Sequence, residues 1–398
     1  MFTVVLGVSG SVAAYRAADV ARELMRHGCK VRVCLTRAGQ EFVTPQLFEA
    51  LTGNPCLTHA FDEPVAGEMA HILWAREANV VLVCPATANI LASLAHGVAD
   101  DMLTTVVSAT NAALVIAPAM NPTMFASEEV QLNLEMLQRK GAQVVMPATG
   151  DVACGEHGQG KLASIEAITE ACLEAAAVSS LYKGKRVLVT AGPTREPIDP
   201  VRYLSNRSSG KMGFALARAL KQMGATVTLV AGPTTLIPPA VDELVRVETA
   251  EEMATRSAER AKEMDLAICV AAVADYKVQE FSKEKLKKQD SISLELVKTV
   301  DVIEAITNAN PKLPVIGFAA ETEDHQKNAS KKLTNKKLFA ICLNNVERAD
   351  IGFSSDDNEL EIHFADGEVV QVSKRSKFNA AVELLTQLFS KLLPFLEE

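Results

Sequence analysis

Paired metal or disulfide spacings are missing from this chain. Its eight cysteines (Cys29, Cys34, Cys56, Cys84, Cys154, Cys172, Cys269 and Cys342) are scattered, and no C-x-x-C pair occurs. A disulfide framework is not expected, and Cys154-x-x-His157 has no second pair nearby to complete a zinc site. Cys34, Cys84, Cys269 and Cys342 lie in apolar runs, where a thiol serves as a small core residue. No segment approaches the roughly 18 uncharged apolar residues of a membrane span. The start, MFTVVLGVSGS, lacks the basic stretch and cleavage site of a signal peptide. A formal net charge of -9 disfavours a general nucleic-acid or anionic-membrane binder, though a local basic pocket stays open. The expectation is a cytoplasmic protein with neither kind of partner. Short repeats and low-complexity tracts are absent too.

What is present is an α/β pattern that starts twice. With 398 residues, 48% hydrophobic and 22% charged, the chain suits two globular domains of about 200 residues each. In the first half TVVLGV, KVRVCLT, VVLVCPA, ALVIAPA and AQVVMP read as strands, with helical patterns such as VAAYRAADVARELMRHG between them. Continuous Val/Ile/Leu runs indicate strands buried on both faces of a parallel sheet. A second start at KGKRVLVTAGPTREP leads to ATVTLVAG, ELVRVE, LAICVAA, LPVIGFAA and LFAICLNN, then to a hairpin of ELEIHF and EVVQVS around Asp366-Gly367. The boundary falls near 179–184, giving domains 1–180 and 181–398.

GVSGSVAAYR (7–16) follows a strand and opens a helix. Gly10 permits a tight turn, while Ser9, Ser11 and helix N-terminal amides can hold a phosphate; a plain βα turn is the alternative. Thr36, ending the next strand, stands where a second phosphate contact falls in such folds. His71, PATAN (Pro85, Thr87, Ala88, Asn89), PAMNPTM with Asn121, and ACGEHGQGKL with Cys154 follow in order. Taken singly, His71 could be structural and Asn121 could cap the helix through EEVQLNLEMLQRKG. As a set they resemble the flavin-dependent phosphopantothenoylcysteine decarboxylases. The resemblance implies that the glycine/serine turn and PATAN loop cradle FMN, and that His71 is catalytic. It further implies that Asn121 holds the substrate carboxylate and that Cys154, on a flap, donates a proton. His157 receives no role. Lys161-Leu162 stands where that family's flap usually has Arg-Met.

TAGPTREPIDPVRYLSNRSSGKMG (190–213) carries a turn, a proline-fixed loop and Ser208-Ser209-Gly210-Lys211 opening a helix, a phosphate pocket by its groups. With AAVADY, KEKLKKQ, GFAAET and KKLTNKK it resembles phosphopantothenate–cysteine ligase, typically fused behind the decarboxylase in bacteria. The resemblance implies Asn206 at the activated intermediate, Lys285 steadying it, and Asp275, Phe318, Lys332 and Lys336 at the nucleotide. CTP would be co-substrate, and Mg²⁺ would be held largely by its phosphates. Departures stand at Thr299-Val300-Asp301-Val302, Phe339 and Leu343-Asn344-Asn345.

Together these features imply two Rossmann-like α/β domains with mainly parallel sheets. The first is a flavodoxin-like FMN-binding decarboxylase domain, the second a nucleotide-dependent ligase domain. The expected substrates are 4'-phosphopantothenate, cysteine and CTP. The expected assembly is a homo-oligomer, a dodecamer of flavin-domain trimers and ligase-domain dimers. Two rivals are a flavoprotein binding or regulatory subunit without turnover, and a nicotinamide-dependent oxidoreductase. Retention of His71, Asn121 and Cys154 weighs against the former, and the missing G-x-G-x-x-G against the latter.

Overall fold

The computed structural model describes residues 2–62, 64, 67–151, 155–287, 291–321, 332–345 and 355–396. Cys154 and the end of the KEKLKKQ run lie outside them. The chain divides into two compact units, Met1–Ser180 and Leu181–Glu398.

The first unit is built on six parallel strands: β1 (Thr3–Val8), β2 (Lys30–Leu35), β3 (Cys56–Leu57), β4 (Val80–Ala86), β5 (Ala113–Pro118) and β6 (Gln143–Val144). Their order is β3-β2-β1-β4-β5-β6. Around them lie α1 (Arg16–Arg26), α2 (Pro45–Thr52), α3 (Ala70–Glu77), α4 (Ala88–His96), α5 (Met102–Ala109), α6 (Pro122–Phe125), α7 (Glu128–Arg139) and α8 (Ile165–Val178). All seven residues of β4 are buried, as a strand covered on both faces requires. One face packs Val4, Leu6, Val80 and Leu82 against Val20, Leu24 and Ile168, and the other packs Val5, Val81 and Val83 against Trp74, Leu91 and Leu103. The order reverses between β1 and β4. In sheets of this kind, ligands bind at such a switch point, beyond the carboxyl ends of the strands.

Two local readings are corrected. The segment from Val12 is not one helix: Ser11 caps a 3-10 turn at Val12–Tyr15 before α1 begins. Asn121 does not cap the long helix. It caps α6, accepting from the N–H groups of Thr123 (2.8 Å) and Met124 (3.4 Å), and Ser127 caps α7. The backbone turns again after Phe125, so one long helix becomes two with separate caps.

The second unit holds an eight-stranded sheet ordered β13-β12-β9-β14-β17-β18-β19-β20. A hairpin of the first unit, β7 (Ala148–Asp151) with β8 (His157–Lys161), precedes it in the chain. The sheet strands are β9 (Arg186–Ala191), β12 (Thr226–Ala231), β13 (Glu243–Arg246), β14 (Leu266–Cys269), β17 (Val315–Glu321), β18 (Ala340–Asn345), β19 (Asp357–Phe364) and β20 (Val369–Ser376). The first six in spatial order run parallel, while β19 and β20 form the antiparallel hairpin, with Gly367 at φ 91° in its turn. Helices α9 (Lys211–Gln222), α10 (Ala250–Ala261), α11 (Val302–Ala309) and α12 (Lys377–Leu396) complete the unit. Two short antiparallel ribbons were not foreseen from the sequence. They are β10 (Arg195–Pro197) with β11 (Tyr203–Ser205), and β15 (Tyr276–Val278) with β16 (Leu296–Lys298). Three-residue strands leave too little periodicity to read.

The seven described cysteines are all buried and unpaired. Burial pushes the Cys56, Cys84, Cys172 and Cys269 thiols up to about 12 and raises those of Cys29, Cys34 and Cys342. Thiolate is the reactive form, so these groups should be inert in the folded chain. Iodoacetamide at mildly alkaline pH should modify at most one thiol per native chain, and all eight after unfolding, by intact mass. Rapid native modification of several cysteines would contradict the buried placement.

Candidate functional site

In a parallel αβ unit each helix starts at the carboxyl edge of the sheet, so residues just after a strand gather there. Ser9 follows β1, Thr36 follows β2, Thr87 follows β4 and Asn121 lies just beyond β5. His71 is the second residue of α3 and half-buried. Ser9, 2% exposed, joins the two strands flanking the switch point. Its hydroxyl donates to the Pro85 carbonyl at 2.7 Å and accepts from the Thr87 N–H at 3.1 Å. The Cys84–Pro85 bond is cis. Gly10 has no room for a side chain, since a Cβ would fall 2.5 Å from Ala38 Cβ and 2.9 Å from the Ala38 backbone. The β1–α1 turn therefore lies directly on the turn after β2, where the Thr36 hydroxyl accepts from the Gly39 N–H at 3.1 Å. Ala88 and Asn89 open α4, with Asn89 exposed.

The flap motif meets the Asn121 loop through backbone. Met120 N–H donates to the Gly160 carbonyl at 3.0 Å, and a Cβ on Gly160 would stand 2.3 Å from the Met120 carbonyl oxygen. A Cβ on Gly158 would meet Pro122 at 2.7 Å. Only glycine lets β8 approach this closely. His157 pairs with Asp151 across the hairpin at 2.9 Å, both exposed, which is a minor contribution to stability. Cys154 belongs to the segment that lies outside the described residues.

The second unit carries a cleft of about 1340 Å³ at the carboxyl ends of β9, β14, β17 and β18. It brings together Asn206, the Ser208–Gly213 turn, Asp275, Phe318, Lys332 and Lys336, 130 residues apart in the chain at the extremes. Lys285 is not in its lining; it is exposed on a loop held elsewhere. There the buried Asp199 carboxylate accepts from Leu286 N–H at 3.1 Å, and Arg202 donates to the Leu286 carbonyl at 3.2 Å. Gly210, at φ 81°, turns the chain into α9, and Gly213 brings that helix onto β9, where a Cβ would lie 2.6 Å from Ala191 Cβ. The Asn206 amide nitrogen donates to the carbonyls of Ala272 (2.9 Å) and Val273 (3.0 Å), tying the loops after β9 and β14 across the second switch point.

Charge in the cleft is arranged in pairs. Lys336 contacts Asp301 at 2.8 Å. Burial raises the Asp301 carboxyl, but the hydrogen bond and charge of Lys336 and two α11 N–H groups outweigh it and hold it below the usual range. Asp301, noted from sequence only as a departure, also caps α11. Lys211 contacts Asp356 at 2.7 Å. Lys377 and Asn358 were missed entirely, yet both line the cleft, 7% and 1% exposed. The available signal for Lys377 was a lysine opening a long apolar helix, where the helix dipole disfavours a cation. Among the described residues no group of three or more His, Cys, Asp or Glu gathers as a metal site, and no helix is long and apolar enough to cross a membrane.

Two family models match in tandem, "Flavoprotein" over residues 1–177 and "DNA/pantothenate metabolism flavoprotein C-terminal domain" over 182–392. The class is thus a flavoprotein unit followed by a pantothenate-metabolism unit. A Vibrio vulnificus coenzyme A biosynthesis bifunctional protein CoaBC is 39% identical over 389 residues, 97% of this chain and 96% of that one. The Bacillus subtilis CoaBC is likewise 39% identical over 389 residues, with the same coverage of both. A crystal structure of a CoaBC C-terminal domain is 38% identical and aligns with 54% of this chain and all of its own, at a TM-score of 0.47. The chain belongs to the family of coenzyme A biosynthesis bifunctional proteins CoaBC.

The glycine seam between β8 and the 118–122 loop yields a direct test. Gly160→Ala forces backbone apart at Met120, so hydrogen–deuterium exchange at the Met120 amide should accelerate on the order of 10-fold or more. Peptides of the second unit should be unaffected. Unchanged protection at Met120 would show that the seam does not anchor the hairpin.

Proposed function

We propose that the chain performs two consecutive reactions of coenzyme A biosynthesis. The second unit joins 4'-phosphopantothenate to cysteine with CTP, releasing CMP and pyrophosphate. The first unit decarboxylates the product, 4'-phosphopantothenoylcysteine, to 4'-phosphopantetheine. The observation that supports this reading is convergence: Ser9, Thr36, Thr87 and Asn121 in the first unit, and Asn206, Asp275, Phe318, Lys332 and Lys336 in the second, gather at the carboxyl edges of two separate parallel sheets.

For the first unit, the residues fit FMN. The tight Gly10 turn with its backbone N–H groups and the Ser11, Thr36 and Thr87 hydroxyls would meet a phosphate without a bulky side chain in the way, while Ser9, its hydroxyl given to Pro85 and Thr87, holds the two loops together. Bound flavin supplies two-electron chemistry at the cysteinyl thiol, which makes loss of carbon dioxide easy. The chain's own groups do the rest. His71 takes the thiol proton. Asn121 uses its oxygen to cap α6, and its amide N–H end suits a carboxylate; a full positive charge there would stabilise the carboxylate against leaving. Cys154 returns a proton to the enethiol as a neutral thiol.

For the second unit, the pantothenate carboxylate attacks the α-phosphorus of CTP and pyrophosphate leaves. The cysteine amine then attacks the acyl carbon, losing a proton, and CMP departs. Both steps build negative charge on oxygen, which Lys211, Lys332, Lys336 and the α9 N-terminus suit. Asp275, Phe318 and Asn206 serve the nucleotide and the activated intermediate; the family resemblance alone gives Lys285, on its loop outside the cleft lining, the role of steadying that intermediate. Mg²⁺ would be held largely by the nucleotide's phosphate oxygens and would offset their charge. The family resemblance implies a homo-oligomer, a dodecamer of flavin-domain trimers and ligase-domain dimers. The enzyme works in the cytoplasm.

Purified protein should show flavin absorbance and convert 4'-phosphopantothenate, cysteine, CTP and Mg²⁺ to 4'-phosphopantetheine, carbon dioxide, CMP and pyrophosphate. Absence of flavin absorbance together with absence of a pantetheine product would sink the reading. Cys154→Ser should leave CMP release unchanged and stop or slow release of the reduced product. Lost ligation with surviving decarboxylation would reverse the role given to Cys154.

A further inference from the structure

Lys377 opens α12, is 7% exposed and lies in the wall of the second cleft. A lysine is out of place there on two counts. Burial of an ammonium is costly, and the first turn of a helix favours anions over cations. Burial pushes the Lys377 ammonium down to about 8, the charge of Lys211 pushes the same way, and Asp356 and Asp357 oppose them. The side chain nevertheless has a definite occupation. Its Nζ donates to the carbonyl oxygens of Ser355 and, at 3.2 Å, Asp357, while its backbone N–H donates to the Asp356 carbonyl at 2.9 Å. All three carbonyls of 355–357 are tied to this one residue. Asp356, at the centre of the clamped segment, holds Lys211 Nζ at 2.7 Å, and Lys211 opens α9 directly after the Ser208–Gly210 turn.

We propose that Lys377 is a positioning residue for the ligase reaction: by clamping residues 355–357 it fixes Asp356, and through Asp356 it presets Lys211 for the nucleotide phosphates. This rests on the reading of the cleft as the nucleotide site. A lysine stem has much rotamer freedom to lose, so an ammonium already held near its working position surrenders less of it on binding. A buried cation facing helix N-termini is tolerated because the clamp it makes serves the site, a local rule broken at a functional position. The clamp is strongest with Lys377 protonated, so it is complete below pH 8 or so and weakens as pH rises through about 8. The charged groups facing Lys377 are Lys211 on α9 and Asp356 and Asp357 at the start of β19; Arg218 of α9 stacks on the neighbouring Phe378 ring at 4.3 Å.

The test is steady-state ligation by the full chain from neutral to alkaline pH. Lys377→Met should raise the nucleotide KM on the order of 10-fold, as loss of charge-assisted hydrogen bonds does, with little change in kcat or in KM for the other substrates. Lys377→Arg keeps a permanent charge; it should restore the KM and remove the rise in KM that the wild type shows as pH passes about 8. Asp356→Asn should reproduce Lys377→Met, and the double variant should be no worse than either alone. Additive effects, no rescue by arginine, or a fall in kcat at unchanged nucleotide KM would each overturn the proposal. If Lys377→Met does not fold, Asp356→Asn and the Lys377→Arg profile decide it. If the wild type does not ligate but binds CTP by calorimetry, the CTP affinities of the same variants decide the clamp; if it binds no nucleotide, the reading of the cleft fails and the clamp proposal falls with it.

Discussion

A parallel sheet covered on both faces can offer a ligand only its carboxyl edge, and most of this molecule follows from that constraint. Interior strand positions are given over to Val, Leu, Ile and small residues, as in the wholly buried β4. Polar chemistry is displaced to the residues just past each strand, where backbone N–H groups of the next helix point outward. The reversal of strand order then selects one crevice along that edge in each unit. In the first unit Ser9 bridges the two strands at the reversal; in the second, the Asn206 amide bridges the loops after β9 and β14. Each bridge adds a side-chain donor to carbonyl groups of the neighbouring loop, Pro85 in the first unit and Ala272 and Val273 in the second.

The two units differ in how they treat charge. At the first site the recognised groups are mainly hydroxyls, an amide and glycine turns. The second gathers lysines from α9, α12 and the 332–336 turn, and like charges converging on one cleft repel. Acidic partners relieve part of this: Asp301 for Lys336 and Asp356 for Lys211. Such pairs are modest in net stability when solvent reaches them. Their value is geometric, since each fixes a flexible cation beside a cavity. Lys377 is the most buried of these lysines, its ammonium donating to the carbonyl oxygens of Ser355 and Asp357.

The division at residue 180 and the identity of the long strands were legible because apolar runs of six or seven residues have few alternative fates. The β19–β20 hairpin was legible from Asp366-Gly367, whose turn needs a positive φ. The small ribbons β10–β11 and β15–β16 were not, because three residues carry no period and their pairing depends on loops the sheet brings together. The Asn121 cap was misassigned since a Pro122 start and a Ser127 start are both good helix signals, and sequence does not say that both are used. Among the candidate site residues, the turns after β1, β4 and β5 and the 206–213 stretch stood out in the sequence because their polar groups cluster in short stretches.

By itself the sequence determined two parallel α/β units, their order, and the chemistry-bearing turns after their strands, because burial pattern and turn residues are local properties. Only the tertiary structure decided which turns share a crevice. It brought β8 onto the Met120–Pro122 backbone through Gly158 and Gly160. It set Lys285 on a loop fastened by Asp199 and Arg202 rather than in the cleft lining. It also carried Lys377 and Asn358, unremarkable in their own stretches, into the lining of the cleft that Lys211 shares. Those outcomes depend on pairings between residues as much as 166 apart (Lys377 and Lys211), and no local preference encodes contacts of that range.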